Sequence, residues 1–432
     1  MEEKEKVKEN PLNKEIDIPA DTYRSLYFAF GKWLIIAVIV GIAVGVTGAF
    51  FGRALNFATS FRTEHSWLIY LLPLAGLALM FIYRHIGLAE DKGTNTIIFA
   101  ARSESEVKFR VAPAIFLATF VTHLFGGSAG REGAALQMGG ALAAPLGKLL
   151  RFNEHDRAIL IMCGMSAGFG ALFGTPVAAA VFAVEVTIVA AAQYSALVPC
   201  MLSSMIAVIT AKLLGAHAES FAVAGVPEIA AENIFQLGGV ILIGIAAAVV
   251  SVLFCKAMEG THHLYEKYIK NPYLRIAAGG AMVALLTFLL RTNDYNGAGM
   301  NVIERALEGD AEPLAFLIKI IFTALTLSCG FKGGEIVPSF FVGATMGCVL
   351  GGLIGLDPSF GAAVGMIAVF CGVTNCPFAS IVLGVEMFGL EGIGYYALAI
   401  TISYMLSGYT GLYSAQKFNQ SKFRPAKLHI DK

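Results

Sequence analysis

Five long apolar runs, at residues 33–51, 67–83, 235–254, 276–290 and 313–327, decide what this chain can become. The hydrocarbon core of a bilayer takes roughly 20 apolar residues per crossing helix. No water reaches the backbone there, so each run has to satisfy its own amides and carbonyls as a helix. Composition agrees. Of the 432 residues, 56% are hydrophobic and 14% charged, where soluble domains have roughly 45–50% and 25%. Four further runs, at 159–174, 177–192, 340–354 and 366–373, are shorter and mostly broken by glycine. Transporters use short interrupted segments of this kind as half-helices around a site at the bilayer midplane.

The ends are polar. The first 29 residues lack the apolar core of a cleavable signal peptide. Lys4, Lys6, Lys14, Arg24 and Lys32 precede the first crossing and favour a cytoplasmic N-terminus. The segment after Tyr413 carries Lys417, Lys422, Arg424 and Lys427 and is too short for a regulatory domain. Lys+Arg and Asp+Glu balance at 31 each, which points to no nucleic-acid partner. The seven cysteines are odd in number, scattered through apolar runs, and lack ligand spacing. They read as small buried hydrophobes, and neither a metal nor a cofactor is expected.

The chain also repeats itself. GMSAGFGALFGTPVAAAVFAVEV (164–186) matches GMIAVFCGVTNCPFASIVLGVEM (365–387) without a gap, at a shift of 201 residues (365 − 164). Gly164 pairs with Gly365, Met165 with Met366, Pro176 with Pro377 and Glu185 with Glu386. The two recurring glutamates fit a shared structural duty, such as bonding loop backbone. A second pair, GGSAGREGAALQMGG (126–140) and CGFKGGEIVPSFFVG (329–343), aligns at a shift of 203 (330 − 127). Gly130 then meets Gly333, Glu132 meets Glu335 and Gly140 meets Gly343.

Each half therefore holds a glycine-rich break with one acid, followed by a helix. A helix start offers free N–H groups and the positive end of its dipole to an anion, and glycine lets the backbone come close to it. A charge at the bilayer centre costs roughly 2.5–3.5 kcal/mol on insertion scales. Arg131 and Glu132 are thus either a neutralising pair or working parts. As a working part, ionised Glu132 occupies the anion's place and vacates it when protonated, acting as gate and proton carrier together.

GSAGREG followed by ALQMGG, the later GFKGGEIVP and the terminal GLYSA resemble the CLC family of anion channels and proton-coupled antiporters, over about residues 33–415. The resemblance implies Glu132 as external gate, with Gly130, Arg131 and Gly133 beside the anion. It implies Tyr413 as a ligand of the central anion, and the backbone of Glu335, Ile336 and Val337 as a lining of the path. It also implies a homodimer with one pore per subunit. The chloride branch has a serine in its first motif, where this chain reads EDKGTNTII. Lys92 stands in that place, followed by Gly93 and Asn95. The motif flavour is similar to the bacterial fluoride/proton antiporter branch, which carries a glutamate where Glu335 stands. Val186 fills the place of the internal proton glutamate of chloride/proton antiporters, so Glu335 is the candidate for a second proton or anion-site carboxylate. Val337 departs from the threonine expected there. Lys92 either faces the pathway or turns to water and pairs with Asp91 or Glu90. Asn95 either lines the site or forms the turn, and His123 reads as packed.

The expectation is an all-α polytopic membrane protein of two inverted-topology repeats with broken and re-entrant helices. Its parts are a cytoplasmic segment 1–29, repeats 30–215 and 236–414 joined by a linker 216–235, and a short cytoplasmic tail 415–432. The partners are fluoride or chloride, protons, the lipid bilayer of a plasma membrane and a second copy. Fluoride/proton antiport is the first reading; chloride/proton antiport and a passive chloride channel are the alternatives. GMSAG (164–168) fits the G-x-S-x-G nucleophile elbow at Ser166, but no strand precedes it and its repeat partner has Ile367 instead. No enzyme is expected.

Overall fold

The structure, a computed structural model, describes residues 22–89, 91–216, 221–230, 233–423 and 427–430. Lys4, Lys6, Lys14, Glu90 and Arg424 lie outside the described residues, and so does any pairing of Lys92 with Glu90.

The first half contains α1 (Thr22–Glu64), α2 (Leu72–His85), α3 (Thr94–Ala101), α4 (Val111–Leu124), α5 (Glu132–Leu149), α6 (Glu154–Phe173), α7 (Pro176–Glu185) and α8 (Leu197–Leu213). The second contains α9 (Ile234–Tyr268), α10 (Pro272–Leu290), α11 (Met300–Leu307), α12 (Ala315–Ser328), α13 (Ile336–Leu353), α14 (Pro358–Thr374), α15 (Pro377–Phe388) and α16 (Ile393–Leu406). Among the described residues, seven helical segments are long and apolar enough to cross a membrane, and six more are apolar but only 10–17 residues long. The short ones are the broken helices. Proline opens α7, α10, α14 and α15, where its missing N–H costs nothing. Asn153, Asn271 and Asp357 cap α6, α10 and α14 by accepting a first-turn amide.

The two halves use the same packing unit. α5 lies against α6, and α13 against α14, so closely that no side chain fits at the crossings. A Cβ built on Gly139 would sit 2.0 Å from the Gly164 carbonyl oxygen, and one on Gly343 would sit 2.5 Å from that of Gly365. Small residues allow such backbone approach between apolar helices, which gain little from hydrophobic burial in lipid. The crossing pairs Gly139 with Gly343, not Gly140 with Gly343 as the sequence alignment had it. Helix starts agree: α5 begins at Glu132 and α13 at Ile336, a shift of 204 (336 − 132). α7 and α15 begin at Pro176 and Pro377, which keeps the shift of 201 (377 − 176). The change of register falls between the two places, because α6 has 20 residues and α14 has 17.

Glu185 and Glu386 hold the halves together reciprocally. Glu185 accepts from the amides of Phe378 (3.2 Å) and Ala379 (2.8 Å) at the start of α15. Glu386 accepts from Val177 (3.0 Å) and Ala178 (2.8 Å) at the start of α7. Each acid ends one helix and caps the first turn of the other, so α7 and α15 run antiparallel. The exchange of equivalent contacts is that of a local two-fold axis.

The apolar run at 177–192 does not continue as one helix. α7 stops at Glu185, and β1 (Ile188–Val189) pairs in parallel with β2 (Lys417–Gln420), which pairs antiparallel with β3 (Lys427–Ile430). The tail is therefore tied to the membrane unit: Ala415, Gln416 and Phe418 are buried. All seven cysteines are buried and free. Ser166 lies inside α6 and its hydroxyl donates to Cys200 O at 3.0 Å, so there is no nucleophile elbow. His123 is packed, with Nδ1 against Thr119 O at 2.9 Å.

Candidate functional site

The glycine-rich breaks of the two halves meet in a single antiparallel bridge. Gly130 N–H donates to Gly334 O at 2.7 Å, and Gly334 N–H to Gly130 O at 2.8 Å. The bridge sets the starts of α5 and α13 side by side. Pro338 has no N–H, and the Ser339 amide is the first in α13 to reach back, to Glu335 O. The amides of Ile336 and Val337 find no backbone acceptor among the described residues. At α5 the corresponding first bond is from Ala135 N–H to Arg131 O. Helix starts of this kind present donors and the positive end of a dipole.

Glu132 is fully buried and turned onto its own helix start. Its carboxylate accepts from Arg131 N–H at 3.0 Å and Arg131 Nε at 3.3 Å, and from its own amide. It thus occupies donors that an anion could use. Glu335 stands just before α13 without a side-chain capping bond, and its Oε2 is buried with no hydrogen-bond partner among the described residues. A Cβ built on Gly133 would lie 3.3 Å from that oxygen, 3.2 Å from Thr94 Oγ1 and 2.9 Å from Gly334 Cα. Thr94 is the first residue of α3. Three helix starts, those of α3, α5 and α13, therefore converge at Gly133. Gln137 Nε2 donates to Thr94 Oγ1 at 3.2 Å, and its Oε1 is buried and unpartnered.

Tyr413 is tied to the start of α3 through Ala415, two residues on, whose amide donates to Asn95 Oδ1 at 2.9 Å. Tyr413 itself is 1% exposed, and its hydroxyl has no hydrogen-bond partner among the described residues. Buried polar groups left without partners are uncommon and mark a ligand, a water or a working site.

Lys92, Asn95, Gly130 and Gly93 make contacts of their own. Lys92 is exposed, with its ammonium 5.8 Å from the centre of the Phe99 ring. The turn before α3 is instead made by Asp91, whose Oδ2 accepts from Gly93 N–H at 3.3 Å and whose Oδ1 accepts from Thr96 Oγ1 at 3.1 Å. A strongly hydrated ammonium turns outward when nothing buried pairs with it. The half-buried lysine-acid contact is made by Lys332, which donates to Asp91 O at 3.1 Å and lies 3.8 Å from its carboxylate. Asn95 accepts from Ala415 N–H at 2.9 Å, two residues from Tyr413. Gly130 spends its amide on Gly334 and has none to offer an anion. Gly93, with φ +64°, shapes the turn before Thr94.

Sequence reasoning also missed two cations. Lys319, fully buried in α12, donates to Tyr295 O (3.1 Å) and Gly297 O (2.8 Å). Arg62, in the last turn of α1, lies against Gly297, and its Nη1 is buried without a partner. Gly297 N–H bonds Gly127 O at 3.1 Å, which ties both cations to the break before α5. A search for charges inside apolar runs finds Lys319 in 313–327 at once; Arg62 carries no such signal.

The comparisons with known proteins agree with this arrangement. Residues 75–408 match the family model described as voltage gated chloride channel. The chain is 37% identical over 398 residues to a chloride/fluoride channel protein of Pseudomonas syringae pv. tomato, covering 90% of this chain and 87% of the relative. It is 26% identical over 383 residues to the H(+)/Cl(-) exchange transporter ClcA of Vibrio cholerae serotype O1, covering 82% and 81%. Among solved structures it superposes on a CLC-type fluoride/proton antiporter with a TM-score of 0.87 at 33% identity, covering 91% of this chain and 99% of that one. A slow cyanobacterial Cl-/H+ antiporter, at a TM-score of 0.74 and 19% identity, shares the fold, covering 87% and 94%. With paired half-helices joined at a glycine bridge, an acid folded over one helix start and a matching sequence across most of its length, this multi-pass membrane protein belongs to the CLC family.

Proposed function

We propose that the protein exchanges a small halide for protons, with fluoride as the anion and Glu132 as gate and proton acceptor. The observation that carries this reading is the convergence of three helix starts on Gly133, with the Tyr413 segment tied to one of them through Asn95. A dehydrated anion there takes the amides of Gly133, Ile336 and Val337 and the hydroxyl of Tyr413 in place of water. Protonation of Glu132 cancels its charge, weakens its hold on Arg131 and its own amide, and frees the start of α5. Arg131 acts through its amide and guanidinium as the holder of Glu132. Glu335, with one oxygen free, is the second proton or anion-site carboxylate; beyond it Lys332 and Asp91 lead to the exposed turn at Lys92.

Fluoride is favoured by the 37% identity to a chloride/fluoride channel protein and by the likeness to a fluoride/proton antiporter. Chloride is the second reading, supported by the exchangers that share the fold. The working protein is a homodimer in the plasma membrane, with membrane repeats at 30–215 and 236–414. Arg102, Lys148, Arg151, Arg157 and Lys417 gather near the α3–α4 and α5–α6 turns and the tail, and Lys32 near the start of α1 pairs with Asp156 at 2.6 Å. A face this rich in Lys and Arg is cytoplasmic, as is the N-terminus. The test is flux from liposomes loaded with fluoride or chloride while external pH is recorded. Fluoride release with opposite proton movement is expected. Equal chloride release would overturn the fluoride assignment, and an unchanging pH under a driving potential would overturn antiport.

A further inference from the structure

The segment that carries Tyr413 is clasped by both ends of α3. Ala415, two residues on, gives its amide to Asn95 Oδ1 at 2.9 Å, and its carbonyl accepts from Arg102 Nη1. Arg102 Nη2 also donates to Glu104, and Glu104 takes Lys417 Nζ at 2.7 Å. Ala415, Arg102, Glu104 and Lys417 thus close a ring around the start of the tail. On the other flank, Leu412 N–H donates to Val373 O at 2.8 Å. Gln416 Nε2 donates to Thr374 O at 2.8 Å and Val186 O at 3.2 Å. The backbone at Tyr413 is therefore anchored immediately before and after the ring, while the hydroxyl itself has no bond to hold it. With no hydrogen bond on the hydroxyl, its position rests on the anchored backbone and on the packing around the buried ring. α3 is also the helix whose first residue, Thr94, stands in the convergence at Gly133.

We propose that Asn95 and Arg102 are positioning residues, which hold the Tyr413 hydroxyl in the anion path through Ala415. This rests on the reading of Tyr413 as an anion ligand. A buried hydroxyl that donates to an ion has to meet it within hydrogen-bond range and direction, and the bond weakens steeply outside them. Releasing Ala415 lets the ring leave that range without touching any group at the anion.

The test uses the full chain in liposomes. Fluoride efflux is measured against fluoride concentration for Arg102→Met, Asn95→Leu and Asn95→Asp, each in the wild-type and Tyr413→Phe backgrounds. In parallel, 3-fluorotyrosine is placed at position 413 and its fluorine resonance recorded in micelles. Arg102→Met and Asn95→Leu should raise KM about 3–10-fold, the worth of one hydrogen bond, with little change in maximal rate. Asn95→Asp keeps an oxygen acceptor and should restore KM. In the Tyr413→Phe background neither loss should add further, since residues acting through a common group are not additive. The 413 resonance should shift or broaden in both loss variants and return in Asn95→Asp. Equal effects in both backgrounds, or an unmoved resonance, would overturn the proposal. If Tyr413→Phe leaves KM unchanged, the reading of Tyr413 as a ligand fails, and the resonance still decides whether Asn95 and Arg102 hold the ring.

Discussion

Replacing Glu132 by glutamine keeps the size of the side chain and removes its charge. The carboxylate lies 3.3 Å from Arg131 Nε. At an effective dielectric of 20 that separation corresponds to about 5 kcal/mol of gross attraction. The net loss is smaller, because folding trades water for these partners. A hydrogen bond to a charged group is worth about 1.5–3 kcal/mol, and one between neutral groups about 0.5–1.5. Glutamine keeps one acceptor oxygen for the Arg131 amide but turns a donor toward donors elsewhere. Its hold on the start of α5 is therefore weaker by roughly 2 kcal/mol, a factor of about 30. Glutamine also takes up no proton. In liposomes loaded with fluoride, Glu132→Gln should release the anion without any change in external pH. Half-maximal flux should come at lower fluoride, by up to that factor, since the anion competes with a looser side chain. Proton movement at the wild-type ratio in this variant would refute the assignment of Glu132 as the proton carrier.

Tyr413→Phe removes one buried donor and should raise the fluoride KM about 2–10-fold, read in the same flux assay. Gly139→Ala places a methyl against the Gly164 carbonyl. It should cost on the order of 1–3 kcal/mol and lower the unfolding temperature in micelles, and Gly343→Ala should do the same. Glu386→Ala leaves the amides of Val177 and Ala178 without their acceptor, and hydrogen exchange there should accelerate; Glu185→Ala should do so at Phe378 and Ala379. Burial works against the Glu104 carboxylate, but its hydrogen bonds from Lys417 and Arg102 outweigh it and hold its pKa below the ordinary value. A depressed acid stabilises above its unfolded pKa and loses that contribution as pH falls through its folded value. A spin label at Asn419 should therefore grow mobile below the ordinary carboxylate range, while Glu104→Gln should leave it mobile at every pH.

The corrections to the sequence reading share one cause. Glu132 and Glu335 aligned because each is an acid two residues after a glycine, Gly130 or Gly333, yet Glu132 is the first residue of its helix and Glu335 the residue before the other. α14 is shorter than α6, so no single shift holds through the repeat, and letters alone favoured matching the acids. Lys92 and Lys332 both stood near breaks; only packing could turn one outward and bring the other to Asp91. The partner of Asn95, Ala415, is 320 positions away, and no local pattern names it. Arg62 and Lys319 meet at Gly297 from different elements, and nothing in either local sequence names the other.

The amino-acid order by itself determined that the chain fills a bilayer with two copies of a broken-helix unit, because apolar length, glycine breaks and repetition are local properties. It also located the glutamates that cap the opposite half, since a recurring acid in a buried helix end needs a backbone donor. The tertiary structure alone decided which helix starts meet, which amides remain free and which side chain carries each charge inward. Those outcomes depend on backbones brought together across some 200 residues at glycine contacts, and a shift of one position there exchanges an acid just before a helix for one inside it.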